Sequence, residues 1–423
     1  MRSACDEILT FNAAFNHQPS LTAKLKALGS SPFGFFRGTF HLFARDLREG
    51  PFRKWPCLET AGQIVGDLHT ENFGTFRAVT NEIVYDINDF DETTQAPYEY
   101  DVRRLASSLV LSSLVNDQGL GLGAVAAENC VRAYVKTLRR LEKLKTREEF
   151  EQLKERKDVR GILASAQEKS RVDMMKSLVE EKPPGTFLIQ EEAEKYILAS
   201  DKEKAEAKMA LPRFLKKCVA PPGARPERFT FQDAAFRIAG CGSLGRMRYA
   251  ALLGKGEGKE DFGTLRLMEW KEALDSALDC PKPHRSKDRA RDVLKAALAF
   301  QVLPKRYLGF TTWDGCAMQG REIGANDIRF NHAEFKDPNR FQQAARVFGE
   351  VTARAHLVST LGERGPRPIL KELRDANEER WIQRMSAFAV AYADRTMDDY
   401  REFRERSAEI QKVWEKQGKP AKT

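Results

Sequence analysis

No run of about 18 consecutive apolar residues occurs, so nothing in the chain reads as a transmembrane helix. There is no CxxC pair. The seven cysteines, at 5, 57, 130, 218, 241, 280 and 316, are odd in number and scattered. They read as reduced cytoplasmic thiols, not as a disulfide framework or a zinc site. The six histidines never form HExxH. Met1 to Asn16 carries Asp6 and Glu7 and lacks a basic-then-apolar layout, so no signal peptide is expected there. No internal repeat is present. Aromatic residues do not interleave with basic ones, so the net charge of +9 is not read as a nucleic-acid surface. Lys and Arg mix with Glu and Asp along 139–160 and 191–217, the pattern of solvated helix faces. A basic surface also favours an anionic ligand such as a nucleotide.

With 423 residues, 42% of them hydrophobic and 31% charged, the chain is expected to be soluble and globular, with two or three lobes. Residues 1–60 look helical at first, then loop-like around Ser31-Pro32-Phe33-Gly34. Short strands and turns are expected over 61–92, and a helical face runs from Val102 to Val115. Helical patterns continue to a stop at Pro183-Pro184-Gly185, and a charged helix follows to about Lys217. Pro221-Pro222-Gly223-Ala224-Arg225-Pro226 is the best linker, and a lobe boundary is expected there. Strands are expected at 229–239, 247–253 and 264–270, a helix at 286–302, and two strands around Trp313-Asp314-Gly315. A helix over 341–358 is broken by Gly365-Pro366-Arg367-Pro368 and followed by a charged helix over 369–417.

Chemistry concentrates in Gly66-Asp67-Leu68-His69-Thr70-Glu71-Asn72 and in Asn88-Asp89-Phe90-Asp91-Glu92, which ends an apolar strand. An aspartate, a nearby asparagine and a strand-end aspartate are the parts of a phosphoryl-transfer site. Asp67 would orient or deprotonate an acceptor hydroxyl, and Asn72 and Asp89 would bind Mg2+ through oxygen. The bland reading of the first segment is a turn of ordinary turn residues. Asp86, Asp91 and Glu92 compete with Asp89, and some of these four would only hydrogen-bond a turn. Asp101 is expected to cap the helix starting at Val102. His69 more often makes a fixed hydrogen bond than catalyses. Arg37, among phenylalanines, could meet an aspartate, a phosphate or a backbone carbonyl.

Gly240-Cys241-Gly242-Ser243-Leu244-Gly245 fits GxGxxG, which serves either a Rossmann turn or a kinase hairpin, and can also be incidental. Arg246-Met247-Arg248-Tyr249 alternates instead of opening a helix, which favours the hairpin. Gly240, Gly242, Ser243 and Gly245 would then cover ATP phosphates, and Lys271 on the third strand would reach them.

These residues resemble the aminoglycoside phosphotransferase and choline kinase branch of the kinase-like fold, with Asp67, Asn72 and Asp89 matching the catalytic aspartate and two magnesium ligands. Asp101 matches that branch's structural aspartate. The chain as a whole resembles the bacterial DUF2252 family, through these segments together with Ser31 to Gly38, Lys271-Glu272-Ala273, Arg321-Glu322 and Ala353-Arg354-Ala355-His356. The resemblance implies an α+β, two-lobed, protein-kinase-like fold with large helical content. It would be circularly permuted, because the helix that normally precedes the catalytic loop lies near the C-terminus. The expected parts are an N-terminal segment (1–60), a catalytic and metal-binding part (61–130), a helical insertion that could bind substrate (131–227), a nucleotide lobe (228–330) and a helical remainder (331–423). Two departures stand out. Val65 replaces the usual histidine, and the acidic partner of Lys271 is open among Asp275, Asp279, Asp288 and Asp292. The expected activity is ATP- and Mg2+-dependent phosphoryl transfer to an unknown acceptor, a small molecule rather than a protein. The alternatives are AMP transfer to protein and non-catalytic nucleotide binding. Arg37, His69, Asp91 and Arg321 are accessory candidates.

Overall fold

In a computed structural model of the chain, the described residues are 3–15, 18–153, 159–182, 185–192, 194–256, 260–331, 336–361 and 368–417. Pro183-Pro184, residues 257–259 of the glycine-lysine turn, and Gly365-Pro366-Arg367 lie outside them.

Alternating side chains build a six-stranded antiparallel sheet. Its spatial order is Gly309–Trp313, Cys316–Ile323, Arg266–Glu272, Arg248–Gly254, Thr230–Arg237 and Tyr196–Leu198. Period-two alternation sorts its two faces. Met268 and Trp270 pack with Phe214, Tyr249, Trp313 and Met318 under helix Asp201–Leu215. Leu267 faces the other way, with Ala250 and Leu252, so Glu269 and Lys271 share that second face. Asp314 and Gly315 both have positive φ, 46° and 74°, which makes the tight turn between the first two strands. The edge strand Tyr196–Leu198 pairs with Thr230–Arg237 across the proline-rich linker. The β-structure therefore crosses the boundary expected at 221–226, and 131–227 is not a purely helical insertion.

The rest is mainly helical, and the chain is α+β. Helices Glu99–Val115, Gly119–Leu141, Pro338–Ser359 and Glu378–Gln417 pack together. A Cβ on Gly349 would stand 2.0 Å from the Cys130 carbonyl oxygen, so only glycine lets two of these helices approach so closely. The expected loop at Ser31–Gly34 is instead a helix start. Ser31 Oγ accepts from Gly34 N–H at 3.0 Å, and Pro32 opens helix Pro32–Gly38. A serine cap followed by proline at the first helical position is a start signal, not a loop signal. No described helix is long and apolar enough to cross a membrane.

Candidate functional site

Asp67 sits in a loop held by Asp101. The Asp101 carboxylate accepts from Val65 N–H (2.7 Å) and Gly66 N–H (2.8 Å), and meets His356 Nε2 at 3.0 Å. Tyr134 Oη bonds the other nitrogen of His356 at 2.8 Å. Asp101 is therefore not a helix cap; its helix begins at Glu99, and its carboxylate serves a different segment. The sequence could not reveal this, because the partner groups are backbone N–H groups 35 and 36 residues away. Gly66 has φ of 100°, and a Cβ there would stand 2.2 Å from the Glu92 carbonyl oxygen. The loop thus requires glycine beside the second acidic segment.

Arg104 Nε donates to Asp67 Oδ1 at 2.8 Å, and its guanidinium lies 3.3 Å from the Phe36 ring centroid. Burial pushes the Asp67 carboxyl up to about 7, against the pull of Arg104. His69 Nδ1 accepts from Glu71 N–H at 3.2 Å, and Asn72 Oδ1 accepts from His69 N–H at 2.7 Å. Burial, with Arg37, Arg104 and Arg329 nearby, keeps His69 well below its ordinary pKa, so it is a neutral, fixed group. Arg37 pairs with Glu71 at 2.5 Å, and its buried Nε has no hydrogen-bond partner among the described residues.

The acidic segment divides by role. Asp86 accepts from Ile87 N–H and meets Arg354 at 3.2 Å. Glu92 accepts from Arg246 Nη2 (2.9 Å) and Ala277 N–H (2.8 Å). Both are structural. Asp91 pairs with Lys271 and accepts from Gln319 Nε2 at 2.5 Å. Asp89 lies 3.8 Å from Lys271, with its side chain 24% exposed. Burial opposes its charge, but Lys271, Arg321 and Arg329 prevail and hold the carboxyl far below its ordinary pKa. Burial pushes Lys271 down to about 8, and Asp89 and Asp91 resist that fall.

The acidic partner of Lys271 is Asp91, not one of the four aspartates considered after it. Asp275 bonds His284 and Ser286, Asp279 bonds Thr94, Asp288 meets Arg291 and Asp292 meets Lys295.

The glycine turn joins two paired strands, Thr230–Arg237 and Arg248–Gly254, and no helix opens at Gly245. This is the hairpin arrangement, not a Rossmann turn. Ser243 Oγ accepts from Arg248 Nη1 at 3.0 Å, so its hydroxyl braces the turn. N-terminal helices cover it: Gly245 N–H donates to Ser20 Oγ at 2.6 Å, and Cys241 Sγ to the Gly34 carbonyl at 3.3 Å.

These segments converge. Asp67, Asn72, Asp89, Gly240, Gly242 and Ser243 line one cleft of about 760 Å3, open mouth included, with Arg37 and His69 on its wall. Gly245 does not line it. Lys271 and Arg321 line a second cavity, and Asp89 and Asp91 form the wall shared by both. Arg321 Nε donates to Glu269 at 3.0 Å.

The sequence of 18–406 matches the DUF2252 family, described as an uncharacterized protein conserved in bacteria. The chain belongs to that family. No curated protein and no solved structure matches it.

Several residues escaped sequence reasoning. Glu269, two positions before Lys271, binds Arg237, Arg248 and Arg321 in one buried cluster. Arg104 lay in an apolar helical face, a signal that could have marked it as paired. Arg329 lines the cleft with no hydrogen bond or ion pair among the described residues. The alternation of Arg246 to Tyr249 was read only as a hairpin signal, and it gave no sign that Arg246 and Arg248 meet Glu92 and Glu269.

Proposed function

We propose that this protein is an ATP- and Mg2+-dependent phosphotransferase acting on a hydroxyl of a small molecule, with a permuted kinase-like arrangement. The observation that carries the reading is the single cleft lined by Asp67, Asn72, Asp89 and the glycine turn. A glycine hairpin, a third-strand lysine, an asparagine and an aspartate at a strand end are the recurring parts of such sites.

The donor set fits the group. Asp89 is held charged and partly open to the cleft, and Asn72 Oδ1 keeps one lone pair beyond its bond from His69 N–H. Both offer the oxygen that Mg2+ prefers. Among the described residues the Arg37 Nε has no hydrogen-bond partner and Arg329 has no hydrogen bond or ion pair, which suits a polyanion on the same wall. When bound, Mg-ATP supplies the phosphoryl group, and its metal offsets charge on the phosphate oxygens. Asp67 is poised near neutral pH, which lets it take a proton from a hydroxyl and hold it at Oδ. Arg104 keeps that carboxylate oriented.

The test is incubation of the purified protein with Mg-ATP and a pool of hydroxylated metabolites, read by phosphate transfer and by intact mass of the protein. Asp67→Asn should abolish transfer while leaving Mg-ATP binding nearly intact. Unchanged transfer sinks the assignment, and a protein gaining the mass of AMP replaces it with AMP transfer.

A further inference from the structure

One end of the cleft, beneath the N-terminal helices, holds buried nitrogens of Arg246 and His41 that no described residue meets. Lys24 is 1% exposed, yet its ammonium has no hydrogen bond or ion pair among the described residues. Its Nζ lies 5.7 Å from the centre of the Phe15 ring. Arg246, 5% exposed, gives one nitrogen to Glu92. Its Nε and Nη1 are buried without a hydrogen-bond partner among the described residues, and Nη1 stands 3.9 Å from Asp91, too far for one. His41, 6% exposed, stacks on Phe11 at 4.2 Å, and its buried Nε2 also has no hydrogen-bond partner among the described residues. Arg246 and His41 both line the cleft that contains Asp67.

Three such groups are electrostatically coupled. Burial pushes Lys24 down to about 7, and Arg246 adds to that fall. Burial and then Lys24 hold His41 well below its ordinary value. Buried donors left without acceptors cost stability, about 1–3 kcal/mol each and more when charged, so a folded protein retains them where a ligand repairs them. Among the described residues Glu92 offers the only carboxylate hydrogen-bonded to this trio, its other oxygen is taken by Ala277 N–H, and Asp91 stands 3.9 Å from Arg246 Nη1. A ligand oxygen that carries negative charge would meet the open donors of Arg246 and the charge of Lys24 together.

We propose that His41 and Arg246, with the charge of Lys24 beside them, form an anion pocket that binds a phosphate or carboxylate carried by the hydroxyl acceptor itself. This rests on the phosphotransferase reading, which it narrows to anionic acceptors such as hydroxy acids or phosphorylated alcohols. The pocket adjoins the part of the cleft assigned to the nucleotide: Arg246 follows the glycine turn, and its Nη1 stands 3.9 Å from Asp91, the partner of Lys271. Lys24 supplies charge, Arg246 supplies two directed N–H donors, and neutral His41 supplies a third.

The experiment titrates inorganic phosphate, and separately acetate, into the full chain at constant ionic strength. Thermal unfolding and calorimetry report binding, with and without saturating Mg2+ and a non-hydrolysable ATP analogue. Wild type should bind one or both anions in the presence of the analogue. Lys24→Met breaks no hydrogen bond, so it should fold, unfold at a higher temperature without anion, and lose at least tenfold in anion affinity. His41→Phe keeps the stack on Phe11 and should weaken the anion several-fold. A stronger response to phosphate points to phosphorylated acceptors, and a stronger response to acetate to hydroxy acids. Anion affinity unchanged in Lys24→Met overturns the pocket, as does a wild type that binds neither anion. Displacement of the anion by the analogue assigns these groups to the nucleotide and overturns the acceptor role. If the analogue never binds but the Lys24-dependent anion does, the pocket stands and the phosphotransferase reading falls.

Discussion

Replacing Asp67 with asparagine should make the protein more stable at alkaline pH, and the size of the gain follows from its buried position. Burial raises the carboxyl from 3.8 to about 7. Between those values the folded state binds more protons than the unfolded state, so stability falls as pH rises. The contribution is complete below the unfolded value and gone above the folded one. Integrated from pH 5 to pH 8, it amounts to a loss of about 2.5 kcal/mol for such a shift. Asp67→Asn removes this dependence, because the amide does not titrate and its oxygen still accepts from Arg104 Nε. The assay is urea unfolding of both proteins at pH 5 and pH 8, and the variant-minus-wild-type difference cancels every other titrating group. Stability should cross over in favour of the variant as pH rises, while transfer is lost. Asp399 supplies the control. Burial also pushes it up to about 7, and it lies on helix Glu378–Gln417, outside the cleft lining. Asp399→Asn should show the same pH effect with transfer intact. Equal pH slopes in wild type and Asp67→Asn would refute the account of a carboxyl destabilised for its chemistry.

Lys271→Met removes the ammonium that meets Asp91, and should weaken Mg-ATP binding by roughly tenfold, about 1.4 kcal/mol, in calorimetry. Asp101→Ala strips the acceptor from Val65 N–H, Gly66 N–H and His356. Removing one member of such a buried charged set costs about 3–5 kcal/mol, readable as a lower urea midpoint. Arg329→Gln removes a side chain with no bond to lose among the described residues, so stability should hold within about 0.5 kcal/mol while Mg-ATP affinity falls. A large stability loss there would show that Arg329 has a structural partner.

What could be read from the sequence was local. Arg246 to Tyr249 alternate, which is enough to choose a hairpin over a helix after the glycine turn, and the paired strands Thr230–Arg237 and Arg248–Gly254 follow that pattern. Asp314-Gly315 likewise marks its own turn. The misreadings came from longer range. Lys271 was expected to find its acid nearby in the following helix, but Asp91 reaches it across 180 residues. Asp101 looked like a cap because it opens an apolar helical pattern, while its carboxylate points to a loop. The strand Tyr196–Leu198 is three residues long, too short to show a period. The N-terminal cover over the glycine turn depends on single bonds such as Gly245 N–H to Ser20 Oγ, which leave no trace in spacing.

The Asp89–Thr93 segment is stitched to the sheet and its following helix by Lys271 to Asp91, Arg246 to Glu92, and Arg289 to the Asp91 and Thr93 carbonyls. An ammonium has three donors, so Lys271 can keep Asp91 and still meet a phosphate oxygen. The arrangement therefore presents Lys271 without breaking these bonds, provided its charge survives burial. Asp89 and Asp91 are the groups that sustain that charge. Asp91→Asn removes one of them and should push the Lys271 pKa below its value of about 8. Above the new value the lysine is neutral and attracts phosphate poorly. Mg-ATP affinity should then fall more steeply between pH 6.5 and pH 8 in the variant than in wild type. Comparing the two proteins cancels the titration of ATP itself. The same pH ratio in both would mean that Asp91 does not set the charge of Lys271, and that Asp89 alone does.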